Sequence, residues 1–200
     1  MTWTEMSEVN SGDVYLKGRF NLQVKGNLEH LRDLPRLRLS LLSAVFPMSG
    51  VTPAALSQLE SSAASPKPNW LAAAFDSATD EGLMWNEVLE RGFGVSPVLR
   101  VYYYMASAVA GNVVWAAQIA ALSDQDAILA KGFDTANSVV DAVPDTAGKI
   151  TYADIPLTNI DSMVAGDFVT IILTRDANHA SDNASGDAKM IYAELLYSVG

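Results

Sequence analysis

Residues 166–176 read GDFVTIILTRD. Val169, Ile171 and Leu173 fall on one side of an extended chain, with Thr170 and Thr174 on the other. That period of two is the mark of a strand with one face buried. Gly166-Asp167 and Asp176 bound it with turn residues. Downstream, after a polar stretch, AKMIYAELLYSV (188–199) has the same texture. Working back toward the start, similar segments recur: KITYADIPL (149–157), the Thr- and Val-bearing stretch 133–143, VVWAAQIAAL (113–122), PVLRVYYYMAS (97–107), LMWNEVLE (83–90) and WLAAAF (70–75). These are about eight strands at intervals that suit a two-sheet sandwich. The fold class expected is therefore mainly β, an antiparallel jelly-roll β-sandwich over residues 67–200. Gly111-Asn112, between two apolar runs, signals a hairpin. The alanines of residues 116–131 (AAQIAALSDQDAILAK) could make helix, but the VVW before them favours strand followed by loop.

The first third reads differently. Phe20, Val24, Leu28, Leu31 and Leu34 recur at steps of four and three, one face of an amphipathic helix that Pro35 ends. An apolar stretch follows at 37–46. TPAALSQLESS (52–62) has a Thr52 cap and Pro53 at a first helical position, so a short helix is expected. SSAASPKP (61–68) has the composition of a linker. Residues 1–66 are thus expected to be a mostly helical or extended attachment arm, separate from the sandwich.

Composition narrows function. The 200 residues are 50% hydrophobic and only 18% charged, with a net charge of −10 and no cysteine. Residues 1–50 carry six basic and five acidic side chains, which leaves −11 on the remainder. Such a body is repelled by phosphate backbones, so no nucleic-acid partner is expected. Without cysteine there is no disulfide, thiolate nucleophile or Cys-based zinc site. No apolar run is long enough to span a bilayer, the first residues lack the pattern of a secretory signal, and no membrane partner is expected.

The candidates for chemistry are few. The polar stretch 175–187 (RDANHASDNASGD) could hold Ca²⁺ or a sugar, but its spacing is not that of an EF-hand, and a solvated hairpin loop is the better reading. Pairing of Arg175 with Asp182 or Asp187 would shape such a loop. His179 has no nucleophile elbow to serve, since G-x-S-x-G is absent. Glu81, Glu87 and Glu90 could pose as glycosidase carboxylates, yet a turn residue and exposed sheet charges explain them better. No catalytic residue, metal site or cofactor is expected. Trp70, Trp85, Trp115 and the triplet Tyr102–Tyr104 could stack on sugars, though most aromatics in a sandwich of this size are core or interface. Tyr103 must face opposite to Tyr102 and Tyr104. The arginines Arg32, Arg36 and Arg38, with Asp33 among them, suit a protein contact.

The ending, GDFVTIILTRDANHASDNASGDAKMIYAELLYSV, resembles the last strands of tailed-bacteriophage virion structural proteins. There a G-D-x-V strand ending in R-D leads through a G-D-A loop to a final apolar strand. The early W…SGDVY…FN…NLEHLRDLP is similar to attachment segments of phage fibre and decoration proteins. The resemblance implies a non-enzymatic, homotrimeric jelly roll in the virion, assembled in the host cytoplasm. Capsid decoration (cement) against the major capsid protein, or another virion protein, stands ahead of a fibre head. Partner contacts would then fall on Trp3, Phe20, Val24, Leu28, Leu31, Arg32, Arg36, Arg38, Tyr102 and Tyr104. The rival reading is a carbohydrate-binding adhesin module that meets a surface glycan through exposed Trp and Tyr.

Overall fold

A computed structural model describes residues 36–47 and 49–198. The expected helix at 20–34, and with it Trp3, Phe20, Val24, Leu28, Leu31 and Arg32, lies outside the described residues.

Among the described residues eleven strands form two facing sheets. In chain order they are β1 (Arg36–Leu39), β2 (Thr52–Pro53), β3 (Ala55–Glu60), β4 (Asn69–Phe75), β5 (Glu81–Val88), β6 (Val98–Met105), β7 (Asn112–Leu122), β8 (Asn137–Ala142), β9 (Thr151–Pro156), β10 (Phe168–Arg175) and β11 (Ala188–Leu196). The first sheet runs β3-β4-β11-β6-β9, with β1 also on β11; the second runs β2-β5-β10-β7-β8. All pairings are antiparallel except the two-residue contact of β2 with β5. This is the expected jelly-roll sandwich, and each of the eight segments read as extended contains a strand. β10 and β11, two of the clearest patterns, sit in the middle of their sheets. A central strand has neighbours on both edges, so its whole backbone is paired and its inner face is fully covered.

Alternation fills the core. Leu99, Val101, Tyr103 and Met105 point inward from β6, Val169, Ile171 and Leu173 from β10, and Ala193 and Leu195 from β11, all buried. Trp85 and Trp115 are buried with them, and Phe75 meets the Trp115 ring edge-on at a centroid distance of 5.0 Å. The Tyr103 hydroxyl spans the sheets and donates to Asp141 Oδ2 at 2.7 Å. Burial pushes the Asp141 carboxyl above its ordinary value, although that bond works the other way. A carboxyl raised by folding contributes stability that is present at low pH and lost as pH rises through its folded value. The melting temperature of the protein minus that of Asp141→Asn should therefore increase as pH falls from 7 to 4. A flat difference would show that Asp141 titrates normally.

Four expectations are corrected. Residues 52–62 are not helical. Their backbone groups pair with β4 in β3, Leu56 opposite Ala73 and Leu59 opposite Trp70, and β2 lies on β5. Ala, Ser and Gln have no strong preference, so the open edge of β4 decides their conformation. The Ser/Pro-rich segment 61–68 is the connection between β3 and β4, closed by Ser61 N–H donating to Pro68 O at 3.0 Å. Strand pairing thus extends through residues 36–60, ahead of the boundary expected at 66/67. Leu39 is fully buried, and the Trp85 indole N–H donates to Ser40 O at 2.8 Å.

Gly111-Asn112 is not a hairpin turn either. It carries the chain from β6 in one sheet to β7 in the other. Gly111 has φ +98°, and a Cβ there would lie 2.8 Å from Asn183 Oδ1 and 3.0 Å from Ala184 N. The adjoining Asn112 N–H donates to that same Asn183 oxygen at 2.8 Å. Gly111→Ala should lower stability by about 2 kcal/mol, combining left-handed strain with displacement of this loop. Gly148→Ala, with φ +79° and open space around it, isolates the backbone contribution. Equal losses in urea melts of the two variants would remove the packing argument.

The polar stretch 175–187 likewise connects the two sheets and is not a hairpin loop. Of the two pairings weighed for Arg175, the one formed is with Asp182, in a buried bidentate bridge.

Candidate functional site

The outward face of the β1/β4-β11-β6-β9 sheet concentrates aromatic and charged side chains. Inward positions of β6 are odd-numbered, so Arg100, Tyr102 and Tyr104 emerge on the outer side, as the parity of the triplet requires. Register brings their neighbours alongside. Tyr192, Tyr102 and Tyr152 stand directly opposite one another across β11, β6 and β9. The next row, across four strands, is Arg38, Glu194, Arg100 and Asp154.

Tyr192 reaches this row through a β-bulge. Pairing shifts between Met190 and Tyr192, so Met190 and Ala193 both point into the core and Tyr192 points out. A bulge inserts one residue and re-aims the side chains beyond it. Ring centroids are 5.6 Å apart for Tyr102–Tyr192 and 5.9 Å for Tyr102–Tyr152, with rings inclined by 49° and 50°. Tyr152 is 50% exposed and Trp70, on β4, 46%.

Three members of the ionic row, Glu194, Arg100 and Asp154, are held by bonds. Arg100 donates from Nε to Asp154 Oδ1 at 2.7 Å and from a terminal nitrogen to Oδ2 at 2.8 Å. Its guanidinium carbon lies 4.2 Å from the Tyr152 ring centroid, a cation–π contact that fixes the ring. The Asp154 carboxylate is the chief cause holding Arg100 in its charged form. Glu194, almost wholly buried, accepts from Tyr102 Oη at 3.1 Å and pairs with Arg36 at 3.6 Å. Tyr104 and Tyr192 are pushed up by burial, so both remain neutral phenols. The face therefore offers flat apolar ring surfaces beside fixed hydrogen-bonding groups.

Of the residues singled out from sequence, Arg36, Arg38, Tyr102 and Tyr104 come together here. Trp70 projects from the same sheet face on β4, alternating with the core-packed Leu71, Ala73 and Phe75, whereas Trp85, Trp115 and Tyr103 are core. Tyr152 and Tyr192 were missed. The alternation of Ile150 and Tyr152 was visible, but the register that sets Tyr152 beside Tyr102 was not. The other candidates are dispersed. Glu81 Oε2 accepts from Asp76 N–H at 2.7 Å and closes a turn. Glu90 accepts from Tyr197 Oη at 3.4 Å. His179 Nδ1 accepts from Ser181 N–H within the 175–187 loop. Among the described residues no three carboxylate or imidazole groups converge as metal ligands would.

A two-sheet jelly-roll sandwich with one aromatic and ionic sheet face is the class that fold and site define. No protein-family model matches the chain, and no curated protein matches it. Solved structures with a similar fold include a family 35 carbohydrate-binding module from Clostridium thermocellum, at 10% identity over 82% of this chain and 99% of that one, TM-score 0.43. A carbohydrate-binding module specific for non-crystalline cellulose matches at 12% identity over 81% and 95%, TM-score 0.38. TmCBM61, solved with β-1,4-galactotriose, matches at 11% over 84% and 92%, TM-score 0.35. At such low scores and identities the likeness carries no functional argument.

Proposed function

We propose that the chain is a non-catalytic carbohydrate-binding module whose ligand lies along the outer face of β11, β6 and β9. The observation that supports this is the row Tyr192–Tyr102–Tyr152, next to a row of charged groups on the same sheet face. The C–H face of a pyranose packs on an aromatic ring, while its hydroxyls need donors and acceptors whose positions do not shift. Arg100, held in place by two bonds to Asp154, meets that need. The centroid steps along the tyrosine row are comparable with the repeat of one pyranose unit.

Titration calorimetry against a panel of neutral and charged oligosaccharides tests this. Tyr152→Ala should weaken the best ligand by about tenfold, from loss of one ring contact worth roughly 1.4 kcal/mol. Trp70→Ala should weaken it by a similar factor, and neither variant should move the melting temperature much. Silence across the panel, or binding indifferent to both rings, sinks the proposal.

A second reading is a subunit of a homotrimeric virion structural protein, of capsid-decoration type. It is supported by the apolar segment 37–46, where Leu39 and Leu41 are buried but Leu42 is 88% exposed and Phe46 46% exposed. Outward-facing apolar side chains on so short a segment suit burial against a neighbouring chain. Sedimentation equilibrium gives the answer: a trimer that dissociates in Leu42→Asp with Phe46→Asp favours it, and a monomer for the unaltered protein disposes of it.

A further inference from the structure

We infer that the glycan taken by this face is anionic, carrying carboxylate or sulfate groups, and that Arg38 is the residue that selects it. The inference rests on the carbohydrate-binding reading above and names its ligand class. The chain as a whole carries −10, yet among the described residues the strands of the outer face present four cations, Arg36, Arg38, Arg100 and Lys189, against two carboxylates. Both carboxylates are engaged. Asp154 accepts through both oxygens from Arg100, and Glu194 is buried beneath Tyr102 and Arg36. Neither is left to repel a negative ligand.

Arg38 ends the ionic row, next to Glu194 in register, and is exposed. Among the described residues no carboxylate lies within ion-pair distance of it. Its register partner Glu194 and Tyr192 are two positions apart on the outward side of β11, so a sugar stacked on the tyrosine row would bring a ring substituent toward the Arg38 guanidinium. Guanidinium matches the planar carboxylate and the sulfate oxygens with paired N–H donors. On a strongly acidic protein, a local surplus of positive charge also raises the arrival rate of an anionic chain at this face alone.

The experiment is calorimetry on the full chain with three probes of equal length, a neutral oligosaccharide, a uronate oligosaccharide and a sulfated one, in 50 and 300 mM salt. One or both anionic probes should bind about tenfold more tightly than the neutral one at low salt, and the advantage should shrink at high salt. Preference for the uronate alone assigns a carboxylate ligand; preference for the sulfated probe alone assigns sulfate. Arg38→Gln should weaken anionic binding about threefold and neutral binding by a smaller factor. Arg38→Glu should abolish the preference and Arg38→Lys should keep it, which separates charge from any disturbance of β1. Neutral binding that depends on Tyr152, with no anionic preference or with a preference unmoved in Arg38→Glu, overturns this inference and leaves the module reading standing. No binding of any probe overturns both.

Discussion

Replacing Arg175 with Met should destabilise the sandwich by about 3–5 kcal/mol, the largest loss expected of any polar residue in the chain. Arg175 is fully buried, and all five of its N–H donors are used. Nε and one terminal nitrogen reach Asp182 at 3.0 and 2.7 Å. The other donors go to the carbonyls of Phe75 (3.2 Å), Gly186 (2.8 Å) and Ala184 (2.9 Å). Asp182 also accepts the Val114 N–H at 2.9 Å. One guanidinium thus joins the end of β4, in one sheet, to β10 and β7 in the other, and fixes the connection to β11. Met fills much of the volume but leaves a buried carboxylate without its cation and three carbonyls without these donors. The loss is read from the denaturation midpoint in urea. Adding Asp182→Leu should recover part of it, because the unpaired charge goes with its partner. A single-variant loss below about 1 kcal/mol would mean that water enters and solvates the site.

Trp85→Ala is the second large effect, about 3–5 kcal/mol from loss of a fully buried indole. Its consequence is also local. The indole N–H holds Ser40 O, and Val45 bridges Met84 on the neighbouring turn of backbone, with N–H to O distances of 2.7 and 2.9 Å. Segment 36–46 is therefore fastened to the sandwich through β5 as well as by β1 on β11. Trp85→Phe keeps most of the apolar volume and removes only the bond to Ser40, so it should cost about 1–2 kcal/mol. Limited proteolysis provides the local readout. Cleavage within 36–46 should appear in Trp85→Phe at protease levels that leave the unaltered protein intact. Equal resistance would show that β1 alone holds the segment.

How far the sequence could be read depended on which interaction decided each element. Residues 166–176 and 97–107 alternate so regularly that burial of one face leaves a single solution, and parity set Tyr102 and Tyr104 on the side opposite Tyr103. Residues 52–60 carry no such pattern. Their Thr-Pro opening and their Ala and Leu content are compatible with helix, and pairing with β4, an interaction with residues 69–74, overrode it. Sheet membership was equally hidden. Gly111-Asn112 has hairpin chemistry, but the preceding and following strands each find better partners elsewhere, β11 and β9 for one, β10 and β8 for the other. At the candidate site, Arg36, Arg38 and Tyr102 were recognisable as unusual residues without a visible common purpose. Tyr192 was not recognisable at all. In an unbroken strand its parity puts it in the core with Ala188 and Met190, and only the bulge reverses that.

The place of β11 has a consequence for synthesis. It follows every other strand in the chain, yet it is the strand on which β1, β4 and β6 all assemble. Until residues 188–196 have left the ribosome, those three strands have edges with nothing between them, and the tyrosine row lacks one of its members. The first sheet is therefore completed late and all at once, by contacts as remote in sequence as Arg36 with Leu196, a topology that folds slowly. A nascent chain arrested short of residue 188 is the species from which aggregation of this protein should start.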